Sequence, residues 1–450
     1  MELKNKRVLV VGAGKSGISA ARFLREQGAK VTISDSRSAQ ALAEEIPVLM
    51  DAGIMVEAGG HGLLTFRRQD LIVVSPGVPM DTPEVRQVMV LGMPVIGELE
   101  LASRFLQGQV IAITGSNGKT TTTTLVGEIL KRGGMDTLVG GNIGLPVIEL
   151  IAESKPETWN VLEVSSFQLE TVVEFRPRIA AVLNITPDHL DRHKTFASYA
   201  AAKARVTERQ DAEDFLVLNG ENKDAQMVAG KSRAQVFWFS GRRPIKQGAF
   251  VHGESVVFLP KEGGRAEPVM PVREITLKGA HNVENVLAAV AIARLAGVPS
   301  EAIRAAVREF KAVEHRLELV RIQNGVEFYN DSKATNVDAA MKAVASFPGG
   351  VHLILGGKDK DSDYGQMAGL LKERVRVVYT IGSAAEKIGR ELGGVVKMVN
   401  AGTLEVAVAE AAKAASHGDV VLLAPACSSF DQFENYEHRG RVFRDLVTAL

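Results

Sequence analysis

Buried strands alternating with helical segments along the whole chain predict an α/β fold of three domains built on largely parallel sheets. Three observations carry this reading. Apolar, β-branched runs such as Val8–Val11, Val110–Ile113 and Val351–Leu355 recur, and segments of helical period follow them. Glycine-rich or polar clusters stand at the carboxyl ends of these runs, where an open parallel sheet forms its ligand crevice. A length of 450 residues also suffices for about three domains with cores of their own. The expected boundaries are 1–98, 99–313 and 314–450.

In the first segment, the strand Val8–Val11 leads into Gly12-Ala-Gly-Lys-Ser-Gly17 and a helix with Ala20, Ala21, Phe23 and Leu24 turned inward. A second strand, Val31–Ser34, ends in Asp35. Taken alone, this is a dinucleotide fingerprint with an acid placed for a ribose diol. Close backbone approach and a positive helix end serve any diphosphate equally well. Two further strands, Leu71–Val74 and Pro94–Ile96, extend the sheet, and the first runs into the backbone-rich loop Ser75-Pro-Gly77.

The middle segment carries the most informative stretch. Val110–Ile113 reads as a buried strand, Gly115 to Gly118 as a tight turn, and Lys119 onward as a helix through Leu125, Val126, Ile129 and Leu130. Strand, glycine turn and helix form a phosphate cradle in which backbone N–H groups meet the anion. Lys119 supplies a point charge and the Thr120 hydroxyl is placed for Mg²⁺. The glycines lie closer together than in the usual G-x-x-x-x-G-K-[ST] loop, so this is a shortened variant. Gly140-Gly-Asn-Ile-Gly144 is expected to be a loop of close backbone approach. Glu163 lies within an apolar strand, where a lone acid is costly without a cation, and Mg²⁺ is the obvious one beside a phosphate cradle. The strand Ala180–Ile185 runs into Asp188, His189, Asp191 and His193, a dense group for which a metal or phosphate role is favoured. Lys203 lies in the alanine-rich helix 196–207. Asn282 and Asn285 share one face of a later helix, where their amides either read a base edge or cap the helix. Leu216–Leu218, Val236–Phe239 and Ser255–Leu259 are expected to be peripheral strands.

In the last segment, strands are expected at Val326–Tyr329, Val351–Leu355, Val375–Ile381, Val395–Val399 and Val420–Leu423. Polar clusters follow three of them, at 330–336, 356–360 and 428–432, and would share one edge of the sheet. Composition limits the function classes. Lysine plus arginine and aspartate plus glutamate each total 53, so the net charge is zero and nothing argues for nucleic acid or an anionic membrane surface. The single cysteine, Cys427, excludes an internal disulfide framework, suits a reducing cytoplasm, and reads as a packed small residue. No signal peptide is evident. The longest apolar run, Val286–Gly297, is too short for a membrane span and contains Arg294. A nicotinamide dehydrogenase would leave the lysine and threonine of the phosphate loop without a purpose.

Taken together, these motifs resemble the Mur ligase family in its D-glutamate-adding branch, over essentially the whole chain. Thr114-Gly-Ser-Asn-Gly-Lys-Thr-Thr121 is similar to the phosphate loop shared by Mur and folylpolyglutamate ligases. The branch is marked by Ser165-Ser-Phe-Gln-Leu-Glu170, by Asn330-Asp-Ser-Lys-Ala-Thr-Asn336, and by Gly12-x-Gly14, Asp35-Ser-Arg37 and Ser75-Pro-Gly77. Lys15 occupies a variable place in the first glycine loop, and Tyr436 stands where some members have Phe. The resemblance implies a Rossmann-like first domain, a P-loop ATPase centre and a Rossmann-like last domain. It further implies ATP-driven joining of D-glutamate to UDP-N-acetylmuramoyl-L-alanine through an acyl phosphate, with two Mg²⁺ ions, in a cytoplasmic monomer that binds no nucleic acid.

By the same resemblance Lys119, His189 and Lys203 are catalytic. ATP is held by Gly115, Ser116, Asn117, Gly118, Lys119, Thr120, Thr121, Asn282, Asn285, Arg316 and Asp331. The UDP-sugar is held by Lys15, Ser16, Asp35, Ser36, Arg37, Ser75, Gly77 and Asn142, and D-glutamate by Lys333, Thr335, Lys360, Ser429 and Phe430. Thr120 and Glu163 serve one metal ion; His189 and Lys203, the latter as a carbamate, serve the second.

Overall fold

The apolar runs form three separate sheets, and the computed structural model describes residues 1–450. The first sheet contains β1 (Arg7–Val11), β2 (Lys30–Asp35), β3 (Met55–Ala58), β4 (Leu71–Val74) and β5 (Val95–Gly97). They lie in the order β3-β2-β1-β4-β5, all parallel. The inner strands β2, β1 and β4 are buried beyond their first residues, as expected where both faces are covered. On one face Leu9, Val11, Ile72 and Val74 pack against Phe66, Val85 and Val88. The edge strand β3 was not foreseen: it is short and partly exposed, so it lacks the apolar run that marks its neighbours.

The second sheet contains β6 (Gln109–Thr114), β7 (Thr137–Gly141), β8 (Trp159–Glu163), β9 (Ile179–Val182), β10 (Phe215–Asn219), β11 (Gln235–Ser240), β12 (Gly248–His252), β13 (Ser255–Leu259) and β14 (Glu267–Pro271). Its order is β14-β13-β12-β11-β10-β9-β6-β8-β7. Pairing is parallel from β7 to β12, and β13 then returns antiparallel.

Two expectations fail here. Gly140 and Gly141 belong to the edge strand β7 rather than to a loop. The ladder runs through Gly141, which pairs with Glu163; its φ is 105°, and a Cβ there would meet the Glu163 carbonyl oxygen at 2.3 Å. The glycines thus admit close strand approach without ending the strand. Leu216–Leu218 is not peripheral, since β10 lies between β9 and β11 with these residues fully buried.

The third sheet contains β15 (Glu318–Gln323), β16 (Val326–Asn330), β17 (Val351–Gly356), β18 (Val375–Ile381), β19 (Lys397–Gly402) and β20 (Val420–Leu423) in the order β15-β16-β20-β17-β18-β19. All neighbours are parallel except β15, an unforeseen antiparallel edge with a bulge between Leu319 and Arg321. The β19 ladder begins at Lys397, two residues later than expected; Val395 and Val396 pack on the core without pairing. Apolar clusters fill both faces, one around Leu353, Leu422 and Tyr364, the other around Ile354, Val421 and Phe443. The three polar clusters follow β16, β17 and β20, which are adjacent and parallel.

By compactness the chain forms two units. One comprises Met1–Ile185, Ala197–Met270 and Leu287–Ala306 and holds the first two sheets. The other comprises Thr186–Phe196, Pro271–Val286 and Val307–Leu450 and holds the third. Within the first unit, buried acids tie the two sheets together. Glu98 accepts from Ile148 N–H at 2.7 Å, and Glu100 accepts from the N–H groups of Val173, Glu174 and Phe175 at 2.8, 3.0 and 3.1 Å. Burial pushes the Glu98 carboxyl up to about 7, against the hydrogen bond from Ile148 that favours its charged form.

Candidate active site

The phosphate loop is held from within its own unit. Gly115 (φ 153°) and Gly118 (φ 85°) take conformations that L side chains resist, and no side chain caps the helix Lys119–Arg132 at Gly118. Such an uncapped helix start is suited to an anion. Asn184 pins the turn: its carbonyl accepts from Ser116 N–H at 2.9 Å, its Oδ1 from Asn117 N–H at 2.8 Å, and its Nδ2 donates to the Asn117 carbonyl at 3.0 Å. Lys119 Nζ folds over the loop onto the carbonyls of Gly115 (2.8 Å) and Ser116 (3.0 Å). Lys203, only 1% exposed, donates to the same Gly115 carbonyl at 2.8 Å. Its Nζ lies 4.7 Å from the ring centre of Tyr199, whose hydroxyl is 2.9 Å from Ser116 Oγ. Lys203 is thus a buried side chain of its alanine-rich helix.

Glu163 completes this region. Thr120 Oγ1 donates to its Oε2 at 2.7 Å and Asn142 Nδ2 to its Oε1 at 2.9 Å, and the acid is 1% exposed. A buried carboxylate beside a hydroxyl gives the hard oxygen donors that Mg²⁺ prefers. Mg²⁺ typically uses one or two carboxylates and completes its shell with water and phosphate. No three His, Cys, Asp or Glu side chains gather into a metal-holding group.

At the first glycine loop, Gly12 has φ 95°, and a Cβ at Gly17 would stand 1.9 Å from the Gly12 carbonyl oxygen. Only glycine allows the helix to start there. Asp35 is fully engaged: Oδ2 accepts from Ala13 N–H at 2.7 Å, and Oδ1 accepts from Arg37 N–H at 2.8 Å and Nε at 3.2 Å. Burial opposes its charge, but the bonds from Arg37 and Ala13 outweigh that and hold the acid below its ordinary range. It braces the loop, a different task from the ribose contact of a dinucleotide site. Ser75 is likewise a brace, donating to the Gly12 carbonyl at 2.9 Å. Ser36, Arg37 and Gly77 are exposed and Ser16 is half-buried, while Lys15 Nζ reaches the Gly144 carbonyl at 2.7 Å.

The second unit brings together residues that are distant in sequence. Asp188 Oδ1 lies 3.2 Å from Lys360 Nζ, its Oδ2 accepts from Asn336 Nδ2 at 2.9 Å, and His189 Nε2 is 3.6 Å away. These groups, with Asp338, border a hollow of about 190 Å³. His189 has φ 54°, a left-handed turn that starts the short helix Leu190–His193. Lys333 Nζ lies 3.6 Å from the Tyr436 ring centre, so the tyrosine noted in the sequence faces an expected D-glutamate ligand. Ser429 is buried, whereas Phe430 is 67% exposed and is not gathered with the others.

Asn285 Nδ2 donates to Asn282 Oδ1 at 3.0 Å, and Asn282 Nδ2 to the Lys278 carbonyl at 2.7 Å. Asn282 and Arg316 border a cavity of about 780 Å³ with an apolar wall of Leu277, Phe310 and Leu317. Asp331 belongs to the same neighbourhood: burial pushes its carboxyl up to about 7 and nearby Arg316 pulls the other way.

Several residues escaped the sequence reading. Asn184 and Tyr199 brace the phosphate loop. Arg439, fully buried, donates to Ser332 Oγ (3.0 Å) and to the carbonyls of Ser332 (2.8 Å), Cys427 (3.2 Å) and Ser428 (3.3 Å), joining two strand-end clusters. Burial lowers it to about 10. Cys427 is buried and pushed up to about 12, which removes it as a nucleophile.

Comparison with known proteins agrees along the whole chain. Residues 6–97 match the family described as Mur ligase MurD-like, N-terminal domain; residues 113–293 match the Mur ligase middle domain; residues 315–427 match the Mur ligase, glutamate ligase domain. A UDP-N-acetylmuramoylalanine--D-glutamate ligase of Acidobacterium capsulatum is 64% identical over 100% of this chain and 97% of its own length. The protein of the same name from Koribacter versatilis is 59% identical over 100% and 99%. Among solved structures, a pseudomurein peptide ligase type C from Methanothermus fervidus superposes with TM-score 0.62 at 20% identity, covering 99% of this chain and 100% of that one. UDP-N-acetylmuramate-alanine ligase from Thermotoga maritima gives 0.61 at 19% identity, with coverage of 99% and 100%.

Proposed function

This chain belongs to the Mur ligase family, and from that membership we propose that it joins D-glutamate to UDP-N-acetylmuramoyl-L-alanine at the expense of ATP, in peptidoglycan precursor synthesis. The observation that carries the ATP-dependent chemistry is the Thr120–Glu163 pair at 2.7 Å beside a loop whose lysine already lies across it. A carboxylate is a poor acyl electrophile. The alanyl carboxylate oxygen attacks the terminal phosphorus of ATP and releases ADP. The amine of D-glutamate, having lost a proton, then attacks the acyl carbon, and phosphate leaves with the C–O bonding pair.

In this reading Lys119, the loop N–H groups and the helix start stabilise charge on the transferred phosphoryl group. Gly115 to Thr121, Asn282, Asn285, Arg316 and Asp331 hold ATP. Lys333, Thr335, Lys360, Ser429 and Phe430 receive D-glutamate, whose two carboxylates call for cations and hydroxyls. The UDP-sugar is assigned to Lys15, Ser16, Ser36, Arg37, Gly77 and Asn142 as contacts, with Asp35 and Ser75 bracing the loop.

Mg²⁺, when bound, neutralises phosphate charge; Thr120 and Glu163 would hold one ion, and His189 with a carbamylated Lys203 a second. A free ammonium would repel the metal, whereas an amine that has taken up CO₂ presents anionic oxygens. We assign the three functional segments to 1–98, 99–313 and 314–450, and the working form to a cytoplasmic monomer. No helix is long and apolar enough to cross a membrane.

The deciding experiment measures phosphate release from ATP with UDP-N-acetylmuramoyl-L-alanine across a panel of D- and L-amino acids. Turnover dependent on D-glutamate is expected. Turnover with another amino acid and not D-glutamate would replace the proposed substrate.

A further inference from the structure

The 780 Å³ cavity of the second unit carries an assembly that the reading above leaves unused. Four cations border it, Lys278, Arg308, Lys311 and Arg316, against one acid, Glu309. Tyr329, its residue 2% exposed, forms part of the wall, and Lys278 Nζ lies 4.8 Å from its ring centre. Lys278 donates to the Tyr329 hydroxyl and, at 3.0 Å, to Glu327 Oε2; the Tyr329 hydroxyl donates to the same Glu327 oxygen at 2.7 Å. The three side chains close a hydrogen-bonded triangle at the rim of the cavity.

That triangle has a direction. An ammonium has three N–H donors, and Glu327 and Tyr329 take two of them. Lys278 and Tyr329 belong to the cavity lining and Glu327 does not, so the carboxylate that holds the lysine lies behind the wall. Burial works against the charged form of Lys278, but the bonds to Tyr329 and Glu327 outweigh it and hold the group above its ordinary range. The Lys278 backbone carbonyl also accepts from Asn282 Nδ2 at 2.7 Å, so one residue fixes the asparagine amide and presents a cation to the same cavity.

We propose that Lys278 is a nucleotide-contact residue, donating its third N–H to bound ATP or ADP, and that Glu327 and Tyr329 are positioning residues that aim it. The inference rests on the nucleotide reading of this cavity. A fixed cation loses less side-chain entropy on binding an anion than a mobile surface lysine does, which is the use of holding it at two points.

The test is calorimetric titration of the full chain with MgADP, which binds without turnover, at two salt concentrations. Lys278→Met keeps the aliphatic stem and removes the charge. It is expected to weaken MgADP about tenfold, the loss of one charge-assisted hydrogen bond, and to flatten the salt dependence, which a mere packing role would not do. Glu327→Gln and Tyr329→Phe are each expected to weaken it about two- to fivefold, with the D-glutamate KM unchanged.

Asn282→Ala serves as the marker of the cavity. Unchanged affinity and salt dependence in Lys278→Met, with weakened binding in Asn282→Ala, overturns the role of Lys278 and leaves the cavity reading intact. Unchanged affinity in Asn282→Ala and Lys278→Met alike removes the nucleotide reading itself. If Lys278→Met does not fold, Glu327→Gln decides: wild-type affinity there overturns the proposal.

Discussion

The phosphate loop is held by neighbours that leave its charge-bearing face organised before any ligand arrives: Asn184 grips its backbone, Tyr199 its serine, and Lys119 and Lys203 both bond to Gly115. The strand ends of the third sheet are held differently. There Lys360, Asn336 and His189 converge on Asp188, so Lys360, expected to receive an anionic amino acid, is already engaged by an internal carboxylate. The first arrangement binds an anion by adding it to a finished cradle. The second must exchange internal partners for the ligand's, so its affinity is a difference between two sets of bonds. Mutations in the loop should therefore act on rate, and mutations at the strand ends on substrate concentration.

The largest test of that contrast is Lys119→Ala. It removes a charge from a finished cradle and no core volume, so turnover should fall on the order of 10² or more while the melting temperature stays close to wild type. Near-normal turnover by the folded variant would break the loop assignment. Lys203→Ala should cost a comparable factor, with one difference: an added short-chain carboxylate should restore part of the activity by replacing the carbamate anion. Restoration by carboxylate in Lys119→Ala as well would show the effect to be unspecific.

At the strand ends, Lys360→Ala should raise the KM for D-glutamate about tenfold and leave the KM for ATP nearly unchanged, the size expected for one charge-assisted bond. Asp188→Asn sharpens the point, because it relaxes the hold on Lys360 without removing the cation. If the internal pair competes with the ligand, its D-glutamate KM should stay level or fall, where that of Lys360→Ala rises. Equal rises in both substrates' KM values for Lys360→Ala would move the amino-acid pocket elsewhere.

The same contrast explains how much could be read beforehand. The loop from Thr114 to Thr121 is contiguous, and its glycines, lysine and threonine each have one physical use, so sequence spacing was enough. The adjacency of the clusters after β16, β17 and β20 was also legible, because parallel strands place their carboxyl ends on one side. What spacing could not convey was which long-range partner each polar group takes. Nothing near Asp188 announces Lys360, 172 positions away, and nothing in Glu437-His-Arg-Gly440 marks Arg439 as the tie between two loops. Edge strands β3 and β15 were missed for a related reason: strands with one open side need not be apolar, so the pattern that reveals their neighbours is missing. Glycine misled at β7, where it signals close approach and not the end of pairing.

The smallest effect separates bracing from chemistry within the loop itself. Tyr199→Phe removes one hydroxyl, 2.9 Å from Ser116 Oγ, and keeps the ring under Lys203. Asn184 still holds the Ser116 and Asn117 N–H groups, so the cradle has other supports. One buried hydrogen bond contributes about 1 kcal/mol, and Ser116 Oγ loses that partner. Stability should fall by roughly that amount, measured by denaturant midpoint at unchanged slope, and kcat should fall by no more than about fivefold. A loss as large as that of Lys119→Ala, with stability intact, would mean that the hydroxyl itself meets the reacting groups. The loop would then depend on its bracing shell for chemistry as well as for shape, and the division between a finished cradle and an exchangeable pocket would have to be redrawn with Tyr199 on the catalytic side.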